Sequence, residues 1–275
     1  MKAPLRLRAT FAVFGRLSPR YTAELAANMF STPRAVRRPK WEMTLLARGR
    51  PLALDSGLSA TEWGVQTGPP VVLLHGWEGR GAQLGFFVDP LVAGGHRVIA
   101  VDGPAHGESP GKRSGPVEFA RGLLAVSQQL GPLHTVIGHS MGARAAIVAL
   151  GWGLETGKLV LLGTPAAFED VVKKFSDDLG IPSRMRRHLN RTLQRRSNVP
   201  PEQLHLQTIA SRQSLPVLVV SDIHDHEVPA SASREVAQAF HHATYLEVDT
   251  GGHRKMLKAQ PVVAAVAAFV GPRPG

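Results

Sequence analysis

Six short apolar runs, each leading into a loop of glycine, histidine or acidic residues, constrain this chain more than any other feature. Val71 to Leu74 enters HGWEGRG, His96 to Val101 enters Asp102, and Thr135 to Ile137 enters GHSMG. Leu159 to Leu162 enters GTP, Val217 to Val220 enters SDIHD, and Thr244 to Val248 enters DTGGH. The runs are apolar at consecutive positions rather than alternate ones, as in strands covered on both faces. Helix-forming segments fall between them, at Val117 to Leu130, Met141 to Trp152, Ser231 to Phe240 and Met256 to Phe269. This order predicts an α/β fold in which a mostly parallel central sheet is flanked by helices. PLALDSG and SATEWGV add two short strands in front, as a leading hairpin. A chain of 275 residues buries one sizeable core, with room for a small insertion.

One connection is longer than a crossover helix needs. From Pro165 to Ser214 about fifty residues separate two strands. Phe168, Val171, Val172, Phe175 and Leu179 recur with helical period, and Met185, Leu189 and Leu193 mark a second amphipathic segment. The insertion is expected to form a helical cap over the carboxyl ends of the strands. Its polar side is basic, with Lys173, Lys174, Arg184, Arg186, Arg187, Arg191, Arg195 and Arg196, which reads either as a solvated face or as an attractor for an anion. The expected division is a basic N-terminal arm over 1–49, a core over 50–164 and 215–270, the cap over 165–214, and a tail over 271–275.

The net charge of +11 is concentrated in the arm, where residues 1–50 hold eleven Lys and Arg against Glu24 and Glu42 and leave the rest of the chain near neutral. A basic nucleic-acid-binding domain is therefore not expected, and no zinc-finger, RNA-recognition or recognition-helix signature is present. ATFAVF, flanked by Arg6, Arg8, Arg16 and Arg20, is too short and charge-interrupted for a signal peptide. The arm is expected to pack on the body or on a second subunit of a homodimer, in preference to a lipid surface. RAVRRPK, from Arg34 to Lys40, reads as a solvated linker punctuated by Pro33 and Pro39. The chain has no cysteine, hence neither disulfides nor thiolate metal sites, and no apolar run approaches a bilayer span. The expected location is cytoplasmic.

GHSMG is the most informative pentapeptide. Gly138 and Gly142 allow a tight strand-to-helix turn around Ser140, which would present its hydroxyl at a helix N-terminus. That makes Ser140 the candidate nucleophile. An acyl-transfer serine needs oxyanion donors; the N–H groups of Met141, opening the helix, and Trp77, following the flexible Gly76, are the candidates. His253, on the loop after the last strand, is the candidate base, whereas His241 and His242 close a helix and read as surface residues. The acidic partner is sought in SDIHDHEV, where Asp225 can lean towards His253, Asp222 braces the loop and Glu227 is the outside candidate. His75, Asp102 and His106 read as orienting or loop-supporting residues, and Arg144 as an ion-pair member or a contact for a substrate carboxylate. His224 and His226 read as loop residues, since no complementary metal-ligand set accompanies them.

In this order, HGWEG, DGPAHGES, GHSMG, DHEVP and GGH resemble the oxyanion loop, the following strand loop, the nucleophile elbow, the acid loop and the histidine loop of the alpha/beta-hydrolase superfamily, across most of residues 50 to 270. The resemblance is to its serine esterase and lipase-like members; the basic arm has no counterpart in the minimal fold. It implies the alpha/beta-hydrolase fold with a cap, a Ser140–Asp225–His253 triad, oxyanion donors at Trp77 and Met141, and neither metal nor organic cofactor. Haloalkane-dehalogenase-like and epoxide-hydrolase-like members carry aspartate at the elbow, which Ser140 argues against. Hydrolysis of a small carboxylic ester or thioester is the expected activity. The same residues leave open an acyltransferase, a cofactor-independent perhydrolase, or a non-catalytic binding protein of this fold.

Overall fold

The computed structural model describes residues 3–273. The arm contributes α1 (Leu5–Leu17), α2 (Pro19–Ser31) and α3 (Lys40–Ala47). The hairpin strands β1 (Arg50–Leu52) and β2 (Ala60–Trp63) follow, then β3 (Pro70–Leu74), α4 (Val88–Ala93), β4 (Arg97–Val101), α5 (Pro116–Leu130), β5 (Leu133–His139), α6 (Met141–Gly151) and β6 (Thr156–Leu162). The insertion holds α7 (Phe168–Leu179), α8 (Ser183–Ser197) and α9 (Leu206–Ala210), and the chain ends with β7 (Val217–Asp222), α10 (Ala230–Ala239), β8 (Ala243–Val248) and α11 (Gln260–Val270).

Among the described residues the strands form one eight-stranded sheet in the order β1-β2-β4-β3-β5-β6-β7-β8. β1–β2 and β2–β4 pair antiparallel; every pair from β4–β3 to β7–β8 is parallel. Alternation of side chains across the pleat divides the consecutive apolar runs between two cores. Val72, Leu74, Val136, Leu159, Leu161, Val217 and Val219 pack with Phe119, Leu123, Ile147 and Val236 from α5, α6 and α10. Val71, Leu73, Ile137, Val160, Leu162, Leu218 and Val220 pack on the other face with Leu45, Leu91, Val262 and Val266 from α3, α4 and α11. Parallel pairing places the carboxyl ends of β3, β5, β6, β7 and β8 along one edge, where the candidate loops emerge.

A third core joins the arm to the insertion. Phe11, Ala23, Ala26 and Ala27 of α1 and α2 are buried against Val172, Leu179, Met185, Leu189 and Leu193 of α7 and α8. Contact is close: a Cβ added to Gly15 would come within 2.8 Å of Met185 Sδ. Arg195 and Arg196 converge on Glu24, so two of the insertion's cations are met by an acid of the arm. ATFAVF lies within α1.

Three expectations need correction. The helix expected over Met256–Phe269 is a 3-10 turn, Met256–Lys258, followed by α11, because Pro261 fits only the first turn of a helix and would break one running through it. Between β3 and β4, where no helix was expected, the chain forms a 3-10 segment at Gly81–Phe87 and then α4, too short and glycine-interrupted to show a helical period. Residues 33–39 do lack regular structure, but the run is not simply solvated: Arg38 has a side chain only 17% exposed. Residues 1 and 2 of the arm and 274 and 275 of the tail lie outside the described residues. No helix among those described is long and apolar enough to cross a membrane.

Candidate active site

Ser140 joins β5 to α6 with φ 53° and ψ −115°, a left-handed conformation that an L residue adopts only when its surroundings impose it. The surroundings do so by close approach. A Cβ on Gly142 would lie 2.4 Å from the carbonyl oxygens of Leu74 and His75, and one on Gly138 2.6 Å from Ala143 Cα. Any side chain at either position would push the turn off β3 or off its own helix. The Ser140 N–H donates to Leu162 O at 2.8 Å, tying the turn to the end of β6.

His253 follows β8 and is 6% exposed. Its Nδ1–H donates to Asp225 Oδ2 at 2.6 Å, which leaves Nε2 as the ring's proton acceptor. The other oxygen, Asp225 Oδ1, accepts the N–H groups of Glu227 and Val228, both at 2.8 Å, so the carboxylate is held from both sides. Asp222 serves a different loop: its Oδ1 accepts His224 N–H and its Oδ2 accepts Thr250 N–H and hydroxyl. Burial opposes its charge, but those donors prevail and hold its carboxyl below the usual range. Glu227 and His226 are exposed, and His224 pairs with Asp249 at 3.2 Å. His241 and His242 are exposed at the far end of β8. Among the described residues no group of three or more His, Asp or Glu is placed to hold a metal ion.

Two residues that sequence reasoning missed hold His253 against the elements on either side of the elbow. His139, inside the elbow pentapeptide, donates from Nε2–H to His253 O at 3.1 Å, with ring centroids 4.5 Å apart. Burial, and then the neighbouring His253, push its imidazole well below the ordinary range, so it is neutral. Gly163, after β6, has φ 58°, and a Cβ there would sit 3.0 Å from His253 Nδ1 and Cε1. His253 therefore touches the residue preceding Ser140 and the residue following Ser140's backbone acceptor. The signal for His139 was its position in GHSMG; Gly163 opened GTP after a strand run and was readable only as a turn.

The candidate oxyanion loop approaches Ser140 from β3. Gly76 is so close that a Cβ on it would lie 3.0 Å from Ser140 Cβ, which brings the adjoining Trp77 peptide to the elbow. Met141, as the first residue of α6, has no acceptor for its N–H within the helix. His75 Nδ1–H donates to Gly76 O at 2.7 Å and its Nε2 accepts Gly103 N–H at 2.9 Å. Burial drives this imidazole down to about 3, so His75 is a neutral brace between two loops. Asp102 accepts Gly81 and Glu108 N–H and pairs with Arg38 at 3.1 Å. His106 donates to Pro104 O at 2.9 Å and packs against Trp77, His75 and Phe119.

The arm also reaches this loop. Arg34 grips Glu78, the residue after Trp77, with two guanidinium bonds of 2.7 Å, and Glu78 has φ 53°. The Arg34 hydrogen bonds hold the Glu78 carboxyl below its usual range. Arg80 is buried against Glu42, with Nη2 to Oε1 at 2.8 Å. These contacts were invisible to motif reading, although unbalanced arginines in RAVRRPK were a signal.

Among the described residues Arg144 is in no ion pair. Its guanidinium donates to Ala166 O at 2.9 Å and Leu204 O at 3.1 Å, carbonyls near the two ends of the insertion. Burial pushes it down to about 10, which still leaves it charged at neutral pH.

Comparison with known proteins agrees with this architecture. Residues 71–266 match the alpha/beta hydrolase family. A 2-hydroxy-6-oxononadienedioate/2-hydroxy-6-oxononatrienedioate hydrolase of Escherichia coli is 41% identical over 105 residues, which are 34% of this chain and 35% of the relative, so the chain spans about a third of the length of the curated relatives it matches. An esterase from Exiguobacterium antarcticum superposes with a TM-score of 0.61 at 18% identity, over 81% of this chain and 99% of the esterase. The 2-hydroxy-6-oxo-6-phenylhexa-2,4-dienoate hydrolase of Rhodococcus sp. strain RHA1 does so with a TM-score of 0.61 at 17% identity, over 81% and 98%. At such identities the structural likeness speaks to the fold alone, but the family match covers most of the sheet, the elbow and the histidine loop: the chain belongs to the alpha/beta hydrolase family.

Proposed function

We propose that this hydrolase cleaves a carboxylic ester, or a thioester, through an acyl-enzyme on Ser140. The observation that carries the reading is the 2.6 Å His253–Asp225 hydrogen bond beside the strained Ser140 turn. In the first step His253 Nε2 takes the Ser140 hydroxyl proton while Oγ bonds to the substrate carbonyl carbon. Met141 and Trp77 N–H groups stabilise the oxyanion, and collapse expels the alcohol or thiol with the proton from His253. Water then attacks the acyl carbon while giving a proton to His253, and the acid leaves as the bond to Oγ breaks and His253 returns that proton to Ser140. Asp225 orients the ring and stabilises the imidazolium. Turnover of short aryl esters by wild type, its loss in Ser140→Ala, and a fluorophosphonate adduct on Ser140 found by mass spectrometry test this. Equal turnover in Ser140→Ala rules it out.

A second reading follows from the 41% identity to the Escherichia coli relative, whose name specifies a dienedioate diacid. Here the same residues would hydrolyse a 2-hydroxy-6-oxo dienoate. Loss of such a substrate's absorbance upon addition of the protein, at a kcat/KM above that for aryl esters, would favour it over the ester.

A further inference from the structure

The outer face of the α1–α2 hairpin is apolar, and the rest of the fold does not cover it. Phe11 and Gly15 turn inward, while Val13, Phe14 and Leu17 of α1 and Tyr21 and Leu25 of α2 are exposed, Leu17 at 75% and Tyr21 at 76%. Tyr21 and Leu25 fall one helical turn apart on one face of α2, as do Phe14 and Leu17 on one face of α1, and Leu17 and Tyr21 flank the Ser18 turn between the helices. Exposed apolar residues in one contiguous group mark a surface that is covered in use.

The unpaired charges of the hairpin itself have one sign. Arg16 and Arg20 flank the tip and are exposed. The only acid of the hairpin, Glu24, is taken by Arg195 and Arg196 of α8 and cannot balance them. Beside α2, helix α8 exposes Arg184, Arg187 and Arg191 at helical spacing. An apolar stripe edged by arginines, on a hairpin whose one acid is already paired, complements a surface that is anionic outside and apolar beneath. A second copy of this chain fits poorly, because a two-fold axis through the patch would bring Arg16 and Arg20 against their own copies.

We propose that the α1–α2 hairpin docks this protein on an anionic lipid bilayer, with Phe14, Leu17 and Tyr21 at the headgroup boundary and Arg16, Arg20 and the α8 arginines over the phosphates. The proposal does not depend on the reaction at Ser140, and binding measured on the full chain carrying Ser140→Ala keeps the two apart. Vesicles of phosphatidylcholine alone and of phosphatidylcholine with phosphatidylglycerol are sedimented with the protein. The protein should follow the mixed vesicles and ignore the neutral ones. Arg16→Ala with Arg20→Ala should weaken partitioning about twenty-five-fold, the product of about fivefold per charge at an anionic leaflet. Phe14→Asp with Leu17→Asp should abolish it. Both pairs are expected to keep the parent's melting temperature and, with Ser140 restored, its rate on a short water-soluble ester. No preference for the mixed vesicles, or binding unaffected by either pair, overturns the proposal. So does a dimer in light scattering that Phe14→Asp with Leu17→Asp dissociates. Absent ester turnover with vesicle binding intact would count against the proposed reaction and leave this surface standing.

Discussion

Acid should destabilise this protein through imidazoles that are neutral because they are buried, in a pH range where most carboxylates are still charged. His75 is fully buried, with its proton affinity pushed from the ordinary 6.5 to about 3, and His139 is displaced in the same direction. Below pH 6.5 the unfolded chain takes up a proton at each ring that the folded chain refuses, so stability falls as pH falls, down to the folded-state value, and is unchanged above. His75 contributes about 1.4 kcal/mol per pH unit once the unfolded ring is mostly protonated, or about 5 kcal/mol over the whole window. From pH 6 to pH 5 His75 alone should cost about 1 kcal/mol, a sizeable part of the ~5–15 kcal/mol that holds a domain together, and His139 adds to the loss in the same direction. Urea unfolding at pH 7, 6 and 5 reads this directly. His75→Gln and His139→Gln should each start less stable at pH 7, having lost hydrogen bonds worth about 1–3 kcal/mol. His75→Gln should nevertheless lose about 1 kcal/mol less per pH unit than wild type between pH 6 and 5, and the slope of His139→Gln should be shallower than wild type in the same direction. Slopes equal to wild type in both variants would refute the assignment of acid sensitivity to these rings, whatever the absolute stabilities.

Asp225→Asn should leave the fold intact and lower kcat on the order of 10³–10⁴-fold, measured on an aryl ester, by removing the carboxylate that accepts His253 Nδ1–H. Gly163→Ala should lower kcat with little change in KM, because its new methyl must displace the His253 ring from 3.0 Å; unchanged steady-state constants would mean the ring is not held there. Phe11→Ala should cost about 3–5 kcal/mol in denaturant unfolding, since Phe11 is fully buried between the arm and the insertion. Arg34→Ala removes a pair whose arginine side chain is 84% exposed, so stability should change by less than about 1 kcal/mol. Its measurable effect should instead be a fall in kcat that 0.5 M salt partly reproduces in wild type, if Glu78 must be held for Trp77 to meet the oxyanion; the salt figure is about where the screening length drops to a few ångströms.

The sheet was legible because strands covered on both faces leave a pattern that no other element produces at that length. Val71 to Leu74 and Val217 to Val220 could be read as strands without knowing their neighbours, and the parallel order followed from the helices between them. Where a helix was short or depended on its surroundings, the local pattern failed. The 3-10 segment at Gly81–Phe87 carries two glycines and follows a functional loop, and its apolar residues Leu84 and Phe87 are explained only by the core they enter. Met256 to Phe269 looked continuous because apolar composition was given more weight than Pro261, whose missing N–H and fixed ring divide the segment. The arm helices could not be read for another reason. Phe11, Ala23, Ala26 and Ala27 are buried by α7 and α8, more than a hundred residues away, and local periodicity contains no information about that partner.

The same distinction explains which parts of the candidate site were readable. Ser140, Gly138 and Gly142 act within a few residues of one another: the glycines are small because Leu74, His75 and Ala143 lie against them, and the result is a pentapeptide that can be recognised as a unit. His253 and Asp225 are separated in sequence, but each ends a predicted strand at the same edge of a parallel sheet, so topology alone brought them to one place. Arg34 and Arg38 have neither property. They approach Glu78 and Asp102 across 44 and 64 residues from a segment with no regular structure, and charge is the only trace they leave in sequence. That trace was an imbalance: eleven cations against two acids in the first fifty residues. Part of it is resolved internally, where Arg34 and Arg38 meet acids of the loops around Ser140. Another part, Arg16 and Arg20 at the hairpin tip beside exposed Leu17 and Tyr21, is not neutralised by either acid of the arm, since Glu24 is held by α8 and Glu42 by Arg80. An excess charge that the fold uses in one place and leaves uncompensated in another performs two physical tasks, and only the second calls for something outside the chain.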